Sequence, residues 1–105
     1  MAQFDVLQNT GRQKTGIPYV VVVQSRRFEQ GRRRVVVPLM LESILPSRDS
    51  RLHPVFEIEG HRVVLNPLHI VSIVVEQLGE RVGSVKKDGD RVIAAIDLVI
   101  SRAWD

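Results

Sequence analysis

The residues best suited to chemistry are three consecutive arginines, Arg32, Arg33 and Arg34, with His61 and Glu57 further along the chain. An acid–base pair beside cations is what phosphodiester cleavage requires, because protons must move while negative charge builds on phosphorus. Arg32–Arg34 with His61 or Glu57 could supply these groups, although their spacing does not demand it. His53, His61 and His69 are each eight apart, a spacing that matches neither a helix face nor a standard metal-ligand pattern. No Gly-rich phosphate loop, Gly-x-Ser-x-Gly or His-Glu-x-x-His is present. With no cysteine there is no thiol nucleophile, disulfide or Cys-based zinc site. The sequence therefore points to binding rather than catalysis, with no cofactor and no metal.

The elements that must position these groups belong to a single 105-residue domain that is 44% hydrophobic and has no linker, internal repeat or low-complexity segment. No apolar run approaches the roughly 20 residues of a membrane span. The N-terminus has neither a basic nor an apolar leader region, so a cytoplasmic protein is expected. Charge is uneven. Residues 1–51 carry nine Lys or Arg against four Asp or Glu, and residues 52–105 carry six against eight. Arg26, Arg27, Arg32, Arg33 and Arg34 should surround one hairpin connection, either as a solvated turn that discourages edge pairing or as an acceptor for an acidic partner. The basic half would suit a plain nucleic-acid binder, but three Phe, one Tyr and one Trp offer little for base stacking, and direct sequence-specific nucleic-acid binding is not expected.

Strands are predicted over 3–7, 17–24, 33–37, 55–58, 62–65 and 70–75. The unbroken Val20–Val23 indicates burial on both faces, and Pro38 marks a strand end or edge. Glu59-Gly60-His61 reads as a hairpin turn, and Met40–Leu45 as a short helical turn before Pro46. One helix is expected from Arg91 to Trp104 with Asp90 as its N-cap. Its apolar arc holds Val92, Ile93, Ile96, Val99, Ile100, Ala103 and Trp104. Five of these are β-branched, so packing rather than propensity must hold the helix. Leu98 projects from the polar face beside Arg91 and Arg102. Trp104 is placed either to pack in a dimer seam or to meet a partner. The fold class is mainly β with a C-terminal α-helix, a small barrel or antiparallel sheet plus helix. The helix arc and Ile70–Val75 together exceed what one small sheet covers, which predicts a homodimer.

Gly31-Arg32-Arg33-Arg34-Val35-Val36-Val37-Pro38-Leu39 resembles the Gly-Arg-Arg-x-Val-x-Pro-Leu signature of the CcdB family. Gln3-Phe4-Asp5-Val6, Val23-Gln24-Ser25, Leu52-His53-Pro54-Val55, Gly79-Glu80-Arg81-Val82 and Ala95-Ile96-Asp97-Leu98 follow in the family's order across nearly the whole chain. The resemblance implies one SH3-like barrel domain over 1–105, dimeric, acting as the toxin of a type II toxin–antitoxin pair. Its implied target is the GyrA subunit of DNA gyrase, trapped with cleaved DNA, and its implied antitoxin is a small protein with an acidic, disordered tail.

Matched onto this sequence, the gyrase-binding positions are Ser25, Arg27, Phe28, Asp97, Ile100, Ser101, Arg102 and Ala103. The antitoxin-binding positions are Arg12, Lys14, Arg32, Arg33 and Arg34. The family's terminal Trp-Gly-Ile falls on Ser101, Arg102 and Ala103, and the tryptophan stands three residues later at Trp104. Three residues advance a helix by about 300° and roughly 4.5 Å, so Trp104 would point in a similar direction from a helix one turn longer. A ribonuclease of the same fold superfamily, or a homologue that keeps its antitoxin but has lost gyrase, are the alternative readings.

Overall fold

Strand β3, Arg33–Leu41, is the spine of the fold, and its valine run Val35–Val37 suits extended backbone. The computed structural model describes residues 1–45 and 49–101. Around β3 stand β1 (Asp5–Gln8), β2 (Tyr19–Val22), β4 (Val55–Ile58), β5 (His61–Leu65), β6 (Val71–Val74) and β7 (Arg81–Ser84), followed by helix α1 (Gly89–Ile100). The sheet runs β4-β5-β3-β2-β1-β7, and β6 joins β3 on the same side as β5. All pairings are antiparallel. The architecture is mainly β, a curled half-barrel with one C-terminal helix.

Pro38 does not end β3. It pairs with Val20 in mid-strand, and the strand continues to Leu41. The Val35 amide and carbonyl both face the β2 side, bonding Gln24 Oε1 and the Val23 amide. Pro38, an odd number of residues on, faces the other way, where its carbonyl accepts from the Asn66 amide. On that side β3 pairs with β6 through Val36 and with β5 from Leu39. The missing N–H thus falls at the handover between two ladders, where no partner strand needs it.

Both faces of the sheet are buried at its centre, as Val20–Val23 predicts. Val6, Tyr19, Val21, Val37, Leu39, Phe56, Val63 and Leu65 form the larger core with Val92 and Ala95 of α1. Leu7, Val20, Val22 and Val36 form a smaller core on the opposite face. The β4–β5 hairpin closes on Ile58 and His61, one residue earlier than predicted. Glu59 and Gly60 both have positive φ, 52° and 82°, the backbone of a type I′ turn that matches the twist of the strands. Glu59 also accepts the Tyr19 hydroxyl at 2.8 Å. Burial, reinforced by that carboxylate, pushes the Tyr19 phenol up to about 12.

The helix differs from its prediction at both ends. It starts at Gly89, so Asp88 rather than Asp90 occupies the cap position, and no side chain caps it. It stops at Ile100, and Ser101 is extended (ψ 146°). Its buried stripe is Val92 and Ala95, with Ile96 and Val99 at the margin, whereas Ile93 and Ile100 of the predicted arc are exposed. Met40–Leu45 resolves into strand and then a single 3-10 turn at Glu42–Ile44, and Pro46 lies outside the described residues.

Two glycines of the last third separate on steric grounds. A Cβ on Gly79 would lie 2.5 Å from the Gln8 carbonyl oxygen, a backbone atom that cannot rotate away, whereas one on Gly83 would meet nothing within 4 Å. Gly79→Ala should lower stability by about 1–3 kcal/mol and Gly83→Ala should be nearly neutral, as read by thermal melting. For Tyr19 the folded chain holds its proton where the unfolded chain releases it. The stabilisation is therefore complete below pH 10 and lost as pH climbs through about 12. Glu59→Gln should bring the Tyr19 phenolate absorbance step to lower pH.

Candidate functional site

The connection between β2 and β3 and the first two residues of β3 together carry five arginines, and the structure divides them into two kinds. Ser25 caps a single 3-10 turn, Arg26–Phe28, by accepting the Arg27 amide at 3.2 Å. Arg26, Arg27 and Phe28 stand exposed on that turn, with Phe28 60% accessible. Arg34 is only 7% exposed. Its Nη1 donates to the carbonyls of Gly31 at 2.6 Å and Arg33 at 2.9 Å, and its Nη2 donates to the carbonyl of Glu29. Backbone oxygens left over by the turn are thereby satisfied from inside. Of the residues expected to bind the antitoxin, Arg34 is placed as an interior staple. Charge at that position faces the turn's own backbone rather than a partner.

Arg33 is exposed but engaged, donating from Nε to Ser72 Oγ at 2.9 Å and from Nη2 to the Ser72 carbonyl at 2.8 Å. Arg32 is exposed, and its carbonyl accepts the Val75 amide at 2.8 Å. Arg12 and Lys14 are exposed on the loop after β1. That loop reaches the same place from the other side, since Thr10 Oγ1 donates to the Gln77 carbonyl at 2.8 Å. The 3-10 turn Val75–Gln77 therefore joins the two basic segments. Between them lies a shallow groove of about 400 Å³ lined by Asn9, Thr10, Gly11, Ile73 and Gln77. Four of the five predicted antitoxin-binding residues, Arg12, Lys14, Arg32 and Arg33, thus flank one region.

The predicted gyrase-binding residues are less closely gathered within one chain. Asp97, Ile100 and Ser101 are exposed or half-buried at the C-terminal end of α1, with Ile100 70% accessible. The start of the helix is what lies near the β2 exit: a Cβ on Gly89 would sit 2.7 Å from the Phe4 ring, and the Phe4 amide bonds the Val22 carbonyl. Twelve helical residues then carry the chain about 18 Å to Ser101. Arg102, Ala103 and Trp104 lie outside the described residues. The expectation of a helix one turn longer at Trp104 lies outside the described residues too, and α1 itself ends at Ile100 with Ser101 extended.

Sequence reasoning missed a second feature of α1. Arg91, Ala94 and the exposed Leu98 face Ser50, Arg51 and Pro54 across a mostly apolar groove of about 340 Å³. Arg91 holds one wall, stacked 5.1 Å from the Phe56 ring and 3.5 Å from Asp88. Leu98 is its only signal in the sequence, since a groove formed with residues 50–54 is set by tertiary packing.

The cleavage constellation does not assemble. Arg33 begins β3, whereas β5 pairs with the far end of β3, where Leu41 meets Val63 and His61 lies beyond. Eight strand residues at about 3.3 Å each put the arginines roughly 26 Å from His61. Glu57 sits on the same remote hairpin, opposite Arg62. His53 is buried with Nδ1 lacking a partner, His61 stands 6.4 Å from the Tyr19 ring, and His69 is exposed. No group of three or more His, Asp or Glu side chains comes together among the described residues, and no described helix is long and apolar enough to cross a membrane.

No curated protein matches the chain closely enough to count as a relative. The family model described as CcdB protein does match, over residues 3–101, from the opening turn to the end of α1. The match takes in the arginine turn, the Pro38 handover and the closing helix together, so the chain belongs to the CcdB family, the toxins of toxin–antitoxin pairs.

Proposed function

We propose that this chain acts on DNA gyrase, binding its GyrA subunit and holding the gyrase–DNA cleavage complex, and that it works by occupancy in the cytoplasm with no catalytic step. Family membership over residues 3–101 is the observation that carries the reading. The contact set is Ser25, Arg27 and Phe28 with Asp97, Ile100 and Ser101, extended by Arg102, Ala103 and Trp104. Exposed Phe28 and Ile100 support it, because large apolar side chains left accessible are the usual anchors of an interface.

The working unit is a homodimer. Leu68, Ile70 and Val71 are exposed and close in sequence, and among the described residues β6 pairs only with β3. No charged residue interrupts Ile70–Val75, and along that edge Arg33 reaches the Ser72 carbonyl. A second protomer would also bring a second copy of each gyrase contact set to the target.

The antitoxin is a small protein whose acidic, disordered tail folds onto Arg12, Lys14, Arg32 and Arg33. Coupled folding lets a short segment cover a broad surface and be removed by proteolysis. The loss of helical geometry at Ser101 favours a second reading, a homologue that keeps antitoxin binding and has lost gyrase.

Sedimentation at micromolar concentration should return twice the 11.9 kDa chain mass, and a persistent monomer would remove the dimer. Joint replacement of Arg12, Lys14 and Arg32 by Ser should slow antitoxin association and flatten its salt dependence, with little change in melting temperature. Arg34→Ser should do the reverse: association is preserved while stability falls by about 1–3 kcal/mol, because buried carbonyls lose their donor. Deleting Trp104 and Asp105 should abolish gyrase-dependent growth arrest in a chain that stays folded and dimeric. If the full-length chain itself leaves growth and gyrase supercoiling untouched while still binding its antitoxin, the second reading holds.

A further inference from the structure

Charge pairing is uneven among the described arginines. Arg51, Arg62, Arg81 and Arg91 each lie within ion-pair distance of a carboxylate, respectively Asp49, Glu42, Asp5 and Asp88. Arg26, Arg27, Arg32, Arg33 and Arg34, crowded into nine residues with Glu29 as the one acid among them, show no ion pair among the described residues. Arg34 adds a buried cation whose contacts are carbonyls alone, and its Nε has no partner. A cation held in low dielectric without a counter-charge raises the positive potential of the surface above it. The same guanidinium pins the carbonyls of Glu29, Gly31 and Arg33, so the turn is held in one shape before any ligand arrives. Gln24 adds to this by donating to the Phe28 carbonyl at 2.9 Å.

On that rigid, positive turn the one large apolar group is an aromatic ring, Phe28, exposed at a concavity of about 400 Å³ lined by residues 26–31. Arginine's planar fork suits phosphate, and an exposed ring beside it suits the face of an unpaired base. We propose that the turn Ser25–Arg32 is a sequence-independent binding site for single-stranded nucleic acid, with Phe28 stacking on a base and Arg26, Arg27 and Arg32 contacting phosphates. An acidic peptide would satisfy the arginines but offers the ring no flat partner, so nucleic acid accounts for more of what is exposed. The site needs only the toxin itself and does not rest on gyrase being the target.

Fluorescence anisotropy of the purified full chain with a short labelled oligothymidine tests it. Three phosphate contacts on a single strand give a log–log salt slope of about −2, a loss of roughly 15- to 20-fold between about 50 and 200 mM salt. Arg26→Ser with Arg27→Ser should cut the slope to about a third and weaken binding at least tenfold at low salt. Phe28→Leu keeps the apolar bulk and removes the π face. It should weaken the single strand at least fivefold and leave duplex DNA of the same length unchanged. All three positions are exposed, so the variants should melt with the parent chain. No binding at low salt, or full binding by the double arginine variant, overturns the site. Equal losses for single strand and duplex in Phe28→Leu overturn the stacking. Displacement by polyglutamate at matched charge, with oligothymidine unable to compete in return, would make it an acidic-peptide site instead.

Discussion

One edge of β3 must pair with two different strands, and the rest of the fold follows from how that is done. A nine-residue strand offers enough length for β6 at its start and β5 at its end. A backbone donor at the junction would be buried without a partner, which is costly. Proline removes that donor and keeps an extended φ. Pro38 therefore lets the sheet split on one side while β2 continues unbroken on the other. The split carries β4 and β5 round to receive α1 over the larger core and leaves β6 to cover the smaller one. Curvature, the two cores and the free edge of β6 all descend from that handover.

The same strand begins with the arginines, and their division of labour depends on strand alternation. Arg33 and Arg34 are neighbours in sequence and so point to opposite sides. One reaches along the surface to Ser72 of β6, and the other turns inward beneath the β2–β3 connection. The interior guanidinium organises the turn from within, while Arg26, Arg27 and Arg32 stand exposed on its outside.

Helix α1 shows a similar economy of faces. Only a narrow stripe, Val92 and Ala95 with Ile96 and Val99 beside it, is needed to cover the sheet. Ile93 and Ile100 on one flank, and Leu98 on the other, are left accessible. A helix rich in β-branched residues is weak in isolation, so tertiary contact sets its ends. Gly89 admits the Phe4 ring at the start, and the stop falls at Ile100, which is left exposed.

Sequence by itself determined six of the seven strands (β7, Arg81–Ser84, was not foreseen), the buried double face of Val20–Val23, the β4–β5 hairpin, the closing helix and the family, because each rests on local periodicity or on a short motif read in order. Gly60 supplies one of the two positive φ values its turn needs, whereas Glu59, a residue with no preference for positive φ, is held there with its carboxylate on the Tyr19 hydroxyl. Tertiary structure alone decided what Pro38 does, because a missing donor is neutral or damaging according to which strand lies opposite. It alone decided that Arg34 is interior while Arg33 is not, since the triplet is uniform in sequence and only the register of β3 distinguishes the two. It separated His61 and Glu57 from the arginines by the length of β3, and it joined the loop of Arg12 to Arg32 through the turn Val75–Gln77. Local propensity is a property of neighbours along the chain, whereas a site depends on which distant residues a shared core brings within reach.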